Sequence, residues 1–327
     1  MIRAAVFEDI KKIIYIENYP KPEIGPDYAL VKVHYCAICG SDVSNFKYKL
    51  FQVPLIMGHE FSGEVIESGE NIKNFKKGDK VVGINVLPES NYGTIRGMGV
   101  FRDGGFAEFV KVHKDDLFHA PANIPMIECS LIESFAVAIR AIKLSNIPQG
   151  QNVAIIGGGN IGLTTLNVLL SEKQPNYVII IEPHEFLQQK AKEMGANDAF
   201  PPNKAKLRRF FKNHGTPLYI FECAGNEKAL KLALDLINRG GTILIEGIHK
   251  GNVSFPIFLI NNKELTIKGS ISHNTQDILD AIELFASNKV NPSMSISEII
   301  PLKDIQKGFE KFLEPGERKF IKIIVKI

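Results

Sequence analysis

The chain has 327 residues, 45% of them hydrophobic, which exceeds one ordinary domain and supplies apolar material for two packed cores. Its net charge of +3 comes from 39 basic and 36 acidic residues mixed along the chain, with no dense basic run to neutralise phosphates, so nothing supports nucleic-acid binding. Apolar stretches such as residues 178–181 are far shorter than the roughly 20 residues a bilayer crossing needs, so no membrane span is expected. Glu8 and Asp9 arrive too early for the apolar core of a signal peptide. Four scattered cysteines, Cys36, Cys39, Cys129 and Cys223, are too few to staple such a chain. Both features point to a reducing, cytoplasmic setting.

In chain order, strands are predicted over 4–7, 12–16 and 30–35, separated by Pro20, Pro22, Gly25 and Pro26. Apolar and polar side chains alternate through Leu30-Val31-Lys32-Val33-His34-Tyr35, as a strand with one wet face requires. Further strands are expected over 61–67 and, after the Gly78-Asp79 turn, over 80–84. From Gln151 the pattern changes. Apolar runs at 153–156, 177–182, 218–222 and 242–246 are interleaved with helical stretches at 161–171, 185–194 and 227–237. Buried strands each followed by a helix predict an α/β, doubly wound parallel sheet covered on both faces. Beyond a run at 265–269, amphipathic helices over 277–286 and 303–312 precede a terminal strand over 320–327, assigned back to the first domain. The expected division is 1–145 with 272–327 for the β-rich domain, and 146–271 for the nucleotide-binding domain between them.

Gly157-Gly158-Gly159-Asn160-Ile161-Gly162 follows the strand at 153–156 and opens a helix. In that context Gly157 permits the tight turn, Gly159 lets backbone approach a pyrophosphate, and Gly162 lets helix pack on strand. The bland reading is a tight turn alone. Twenty residues beyond Gly162, Glu182 ends the next predicted strand, where a carboxylate accepts hydrogen bonds from ribose hydroxyls or, alternatively, caps a helix. Its charge disfavours a 2′-phosphate and Pro183-His184-Glu185 offers no arginine, so NAD is expected rather than NADP.

Cys36-Ala37-Ile38-Cys39 has CxxC spacing, yet no second cysteine pair exists to close a structural zinc site, and Cys36 is read as a small buried hydrophobe. Cys39 has better company in His59 and Glu60 about twenty residues on, and in Glu133, which interrupts an apolar run at 131–139. Thiolate, imidazole and carboxylate together suit zinc with one open position. A carboxylate amid apolar neighbours calls for a cation, unless Glu133 points outward from a helix end.

The runs Cys39-Gly40-Ser41-Asp42, Pro54-Leu55-Ile56-Met57-Gly58-His59-Glu60-Phe61-Ser62-Gly63, Gly78-Asp79-Lys80-Val81-Val82-Gly83 and Asp103-Gly104-Gly105-Phe106-Ala107-Glu108 closely resemble the zinc-containing medium-chain alcohol dehydrogenases, in order and spacing over essentially the whole chain. Within that family the chain looks like the polyol dehydrogenase branch, where a glutamate stands at the place of Glu133. The resemblance implies a GroES-like catalytic domain built from both chain ends, a Rossmann domain between them, and an active site in the cleft. By position it makes Cys39 and His59 zinc ligands, and Glu60 and Glu133 ligands directly or through zinc-bound water. Ser41 would pass the substrate proton, Asp42 would hold the His59 imidazole, and Ile161, Glu182, Gly247, Ile248 and Ile271 would contact NAD. A small alcohol or polyol substrate and a homo-oligomer, dimer or tetramer, are implied as well.

Four positions depart from the family pattern. The cysteines of a second, structural zinc are missing from residues 84–102, so one catalytic zinc per chain is expected. Ser44 stands where many relatives carry a relay histidine, Ser134 where a proline follows the glutamate, and Ser272 where sorbitol-type enzymes often carry an arginine. Lys47, Lys49 and Arg96 would greet a phosphate or carboxylate, or are merely solvated. Rival readings are a zinc-free NADPH quinone or enoyl reductase of the same fold and a non-catalytic NAD-sensing protein.

Overall fold

The computed structural model describes residues 1–85, 97–254 and 256–327; Arg96 lies outside them. The nucleotide-binding region is a six-stranded sheet, parallel throughout. In spatial order its strands are Asp198–Phe200, Tyr177–Ile181, Asn152–Ile156, Tyr219–Glu222, Thr242–Ile245 and Thr266–Gly269. Numbered along the chain this is the order 3-2-1-4-5-6 of the doubly wound fold, with its switch point between the first and fourth strands. The strand Tyr177–Ile181 is buried along its whole length, as its uninterrupted apolar sequence requires. Each fully buried Ile or Val there contributes roughly 1.5–3 kcal/mol relative to exposure.

Expected helices in this region are present as Asn160–Glu172, Glu185–Glu193 and Glu227–Leu236. The helix Lys204–His214 and the short edge strand Asp198–Phe200 were not foreseen. That helix buries only Leu207 and Phe211 in a stretch dense in lysine and arginine, and Asn203 starts it by accepting from the N–H groups of Ala205 and Lys206. Two apolar residues one turn apart are too faint a stripe to read as a helix.

The β-rich region has a three-stranded sheet, with Ile2–Asp9 between Lys12–Tyr19 and Leu55–Ile56. A second, seven-stranded sheet runs Ile296–Pro301, Lys322–Lys326, Tyr28–Ala37, Glu60–Ser68, Lys80–Ile84 and Leu117–His119, with Phe109–His113 also paired to Tyr28–Ala37. The C-terminal strand thus lies beside the strand that leads to Cys39. Ile324 stands opposite Ala37 and Val325 opposite Cys36. The antiparallel register therefore carries Lys322 level with the Cys39 end of its neighbour. Among the described residues no helix is long and apolar enough to cross a membrane.

Candidate active site

Cys39 follows the strand Tyr28–Ala37, with Ile38 between, and stands immediately before the helix Gly40–Tyr48, in extended backbone conformation. Asp42, in the first turn, accepts from the Cys39 N–H at 3.0 Å through Oδ2. Its Oδ1 lies 3.4 Å from both the Gly58 N–H nitrogen and His59 Nδ1. One buried carboxylate therefore bonds to the backbone of both loops and lies against the imidazole. His59 Nε2 stands 3.3 Å from Ser41 Oγ. Burial pushes His59 towards neutrality, but Asp42 and Cys39 outweigh it and hold the imidazole well above its ordinary range. Cys36 is fully buried, and its thiol is pushed up by that burial.

The two glutamates are placed differently. Glu60, fully buried, is ion-paired through Oε1 with Lys322, itself 2% exposed, and accepts from Ser134 Oγ at 3.0 Å through Oε2. Burial works against the Lys322 charge, and Glu60 outweighs it, holding the ammonium above its usual range. Glu133 sits in the first turn of the helix Ile132–Ser145 and faces inward, with its Oε1 3.3 Å from His273 Nε2. Burial alone would raise its carboxyl, but the bond to His273 and the positive fields of His273, His59 and Lys322 bring it down to about 2. The buried carboxylate of Glu133 thus has the His273 imidazole as its hydrogen-bond partner, in the positive field of Lys322.

Among the described residues no three His, Cys, Asp or Glu side chains converge closely enough to hold a metal. The structure brings Cys39, Ser41, Asp42 and His59 together, whereas Glu60 and Glu133 turn to basic partners. The donor chemistry fits zinc nonetheless. A thiol and an imidazole meet, and a carboxylate lies within the electrostatic reach of His59.

Gly157 adopts φ +106, and a methyl group on Gly162 would stand 1.9 Å from the Gly157 carbonyl oxygen, so both glycines are obligatory for turn and packing. In front of Gly159 a Cβ would meet nothing closer than Arg318 Nη1 at 3.9 Å, so its backbone can be approached closely, and the residue after it begins the helix Asn160–Glu172. Ile161 lies in the first turn of that helix. Glu182 accepts from the Gly158 N–H at 2.7 Å and from the His184 N–H at 3.1 Å. Gly247 packs against Gly225, and Ile248 lines a cleft of about 450 Å³ whose walls also include Ser44, Asn226, His249 and Lys250. Ile248 and Ile271 are 66% and 60% exposed, available to an apolar ring. Lys47 reaches over the Tyr48 ring, and Lys49 pairs with Asp9.

Four residues escaped sequence reasoning: Lys322, His273, Arg318 and Asn160. Asn160 donates to Ser134 Oγ at 3.0 Å, so Ser134 joins Glu60 to the first residue of the cofactor helix. A proline at 134 could make neither bond.

Comparison with known proteins agrees with this arrangement. Residues 25–122 match the alcohol dehydrogenase GroES-like domain family and residues 161–287 the zinc-binding dehydrogenase family. Human sorbitol dehydrogenase is 28% identical over 321 residues, covering 91% of this chain and 89% of its own. An L-threonine 3-dehydrogenase from Shewanella frigidimarina is 29% identical over 316 residues, covering 91% and 92%. A zinc-binding dehydrogenase from Sinorhizobium meliloti, solved bound to NADP, superposes with a TM-score of 0.91 at 27% identity, covering 100% of this chain and 99% of its own. The chain belongs to the zinc-containing medium-chain alcohol dehydrogenase family, in its polyol dehydrogenase branch. It is an alcohol oxidoreductase that works with a nicotinamide cofactor.

Proposed function

We propose that this oxidoreductase is zinc-dependent and transfers a hydride between NAD and the carbinol carbon of a polyol, sugar, sugar phosphate or related small alcohol. The observation that carries the reading is the meeting of Cys39 and His59, with Ser41 on the imidazole, while Ser134 joins the neighbouring Glu60 to the first residue of the glycine-loop helix. Cys39 and His59 would hold one zinc per chain, with Glu133 or Glu60 completing the set directly or through water. When bound, that zinc polarises the alcohol oxygen and lowers its pKa. Asp42 secures Nδ1 of His59 and leaves Nε2 as the ligating nitrogen. Ser41 turns its hydroxyl to the substrate O–H and passes the proton outward. Gly157, Gly159 and Gly162 shape the pyrophosphate site, Glu182 takes the adenosine ribose, and Ile161, Gly247, Ile248 and Ile271 contact the dinucleotide. The carboxylate of Glu182, 7% exposed, supports NAD over NADP. We further propose the division at residues 145/146 and 271/272, a homo-oligomeric state, and no structural zinc.

The test combines elemental analysis with NAD and NADP reduction across polyols, sugar phosphates, sugar acids and threonine. Cys39→Ser or His59→Ala should remove zinc and turnover together and leave NADH binding, read by fluorescence titration, largely intact. Full turnover by a zinc-free Cys39→Ser protein would end the proposal.

A further inference from the structure

Between the helix Ile305–Lys311 and the strand Lys322–Lys326, the chain crosses from the catalytic sheet to the nucleotide-binding region. Two bonds moor it there. Glu317 Oε1 accepts from the Phe186 N–H at 3.0 Å, and the Arg318 N–H donates to His184 Nδ1 at 3.2 Å. The Arg318 guanidinium is fixed in turn. Nε donates to the Phe320 carbonyl at 3.0 Å and Nη2 to the Ile321 carbonyl at 2.9 Å, while Cζ lies 5.2 and 4.8 Å from the ring centroids of Phe312 and Phe320.

Nη1 is left over. It has no hydrogen-bond acceptor among the described residues, and it stands 3.9 Å from the place a Gly159 Cβ would occupy, the one atom near that otherwise open space. Gly159 immediately precedes the helix Asn160–Glu172, whose free N–H groups and dipole present positive charge to the same space. Two electropositive groups facing one gap repel each other unless an anion lies between them. Glu182 attracts the guanidinium from one side, but its carboxylate is already committed to the Gly158 and His184 N–H groups. The place left for an anion is at the Gly159 end of the loop, between Arg318 Nη1 and the helix N-terminus.

We propose that Arg318 is a ligand for the cofactor's pyrophosphate, carried to the glycine-rich loop by the catalytic region, so that the anion is held from both sides of the cleft. This rests on the nicotinamide-dinucleotide reading above and adds a residue that no glycine motif reveals. A guanidinium bonded to two carbonyls and flanked by two rings loses little freedom on binding, and a charge-assisted bond to phosphate is among the stronger ones available.

Wild type, Arg318→Ala and Arg318→Lys are compared by displacement of NADH fluorescence with NAD, NADP, ADP-ribose and adenosine. The alanine variant should bind NAD and ADP-ribose about ten- to a hundredfold more weakly, with adenosine unchanged and lysine restoring part of the loss. Undiminished ADP-ribose binding by Arg318→Ala overturns the proposal. So does a loss confined to NADP, which would make Arg318 a reader of the 2′-phosphate, or an equal loss for adenosine, which would make it a structural tether. If Arg318→Ala melts early, Arg318→Gln carries the same comparison. A wild-type chain that binds no dinucleotide defeats the cofactor reading itself. Tight wild-type binding with an indifferent variant defeats only this one.

Discussion

The two sides of the cleft both bury carboxylates, yet they neutralise them by different means. On the catalytic side three acids meet bases: Glu60 with Lys322 and Glu133 with His273 across long stretches of chain, and Asp42 with His59 in the next loop. On the nucleotide side backbone N–H groups, a hydroxyl and a thiol take the larger share. Glu182 accepts from two backbone N–H groups. Glu222 accepts from the N–H groups of Ala224 and Gly225 and also meets His249 at 2.8 Å. Among the described residues the Glu246 carboxyl has only the Thr165 hydroxyl and the Cys223 thiol. Removing a partner on the first side strands a charge, whereas on the second Glu246, its carboxyl raised by burial, can keep its proton.

Three substitutions sharpen that contrast. The largest effect is expected from Lys322→Ala, which leaves Glu60 buried and unpaired and should cost about 3–5 kcal/mol, read by urea denaturation. Unchanged stability would show that the pair is not the anchor of that side. Next is Glu246→Gln. Burial raises the Glu246 carboxyl from 4.5 to about 8, and Glu222 adds to the rise against the pull of Cys223 and Thr165. The contribution of Glu246 is complete below about pH 4.5, where folded and unfolded chains both hold the proton, and is lost as pH climbs through about 8. Wild type should therefore lose stability between those limits relative to Glu246→Gln, by on the order of a few kcal/mol, visible as diverging melting temperatures at pH 5 and pH 9. Parallel pH profiles would refute the buried, protonated acid. The smallest effect is expected from Ser134→Ala, which leaves the Glu60–Lys322 pair intact but removes one bond to each of Glu60 and Asn160. A loss of about 1.5–3 kcal/mol should appear in the same denaturation series.

The same contrast explains what could be read in advance. The glycine loop, the strand before it and Glu182 lie within one run of about thirty residues, and their spacing follows from the local geometry of a strand, a turn and a helix. Cys39, Ser41, Asp42 and His59 were legible through their short motifs. Lys322 and His273 were not. They reach Glu60 and Glu133 across 262 and 140 residues, and nothing about a lone lysine or histidine in a strand or loop announces a buried partner. Arg318 was not legible either, since it approaches Glu182 from the other end of the chain. The inward turn of Glu133 was foreseeable from its apolar neighbours, but the identity of its partner was not.

The separation of Glu60 from Lys322 bears on how the molecule is made. As the polypeptide leaves the ribosome, Glu60 emerges 262 residues ahead of its lysine, and the nucleotide-binding sheet can assemble in the interval. Until the closing strand slides in beside Tyr28–Ala37, the nascent catalytic half has no ammonium for its buried acid and exposes a strand edge. It is then the part most in need of a chaperone.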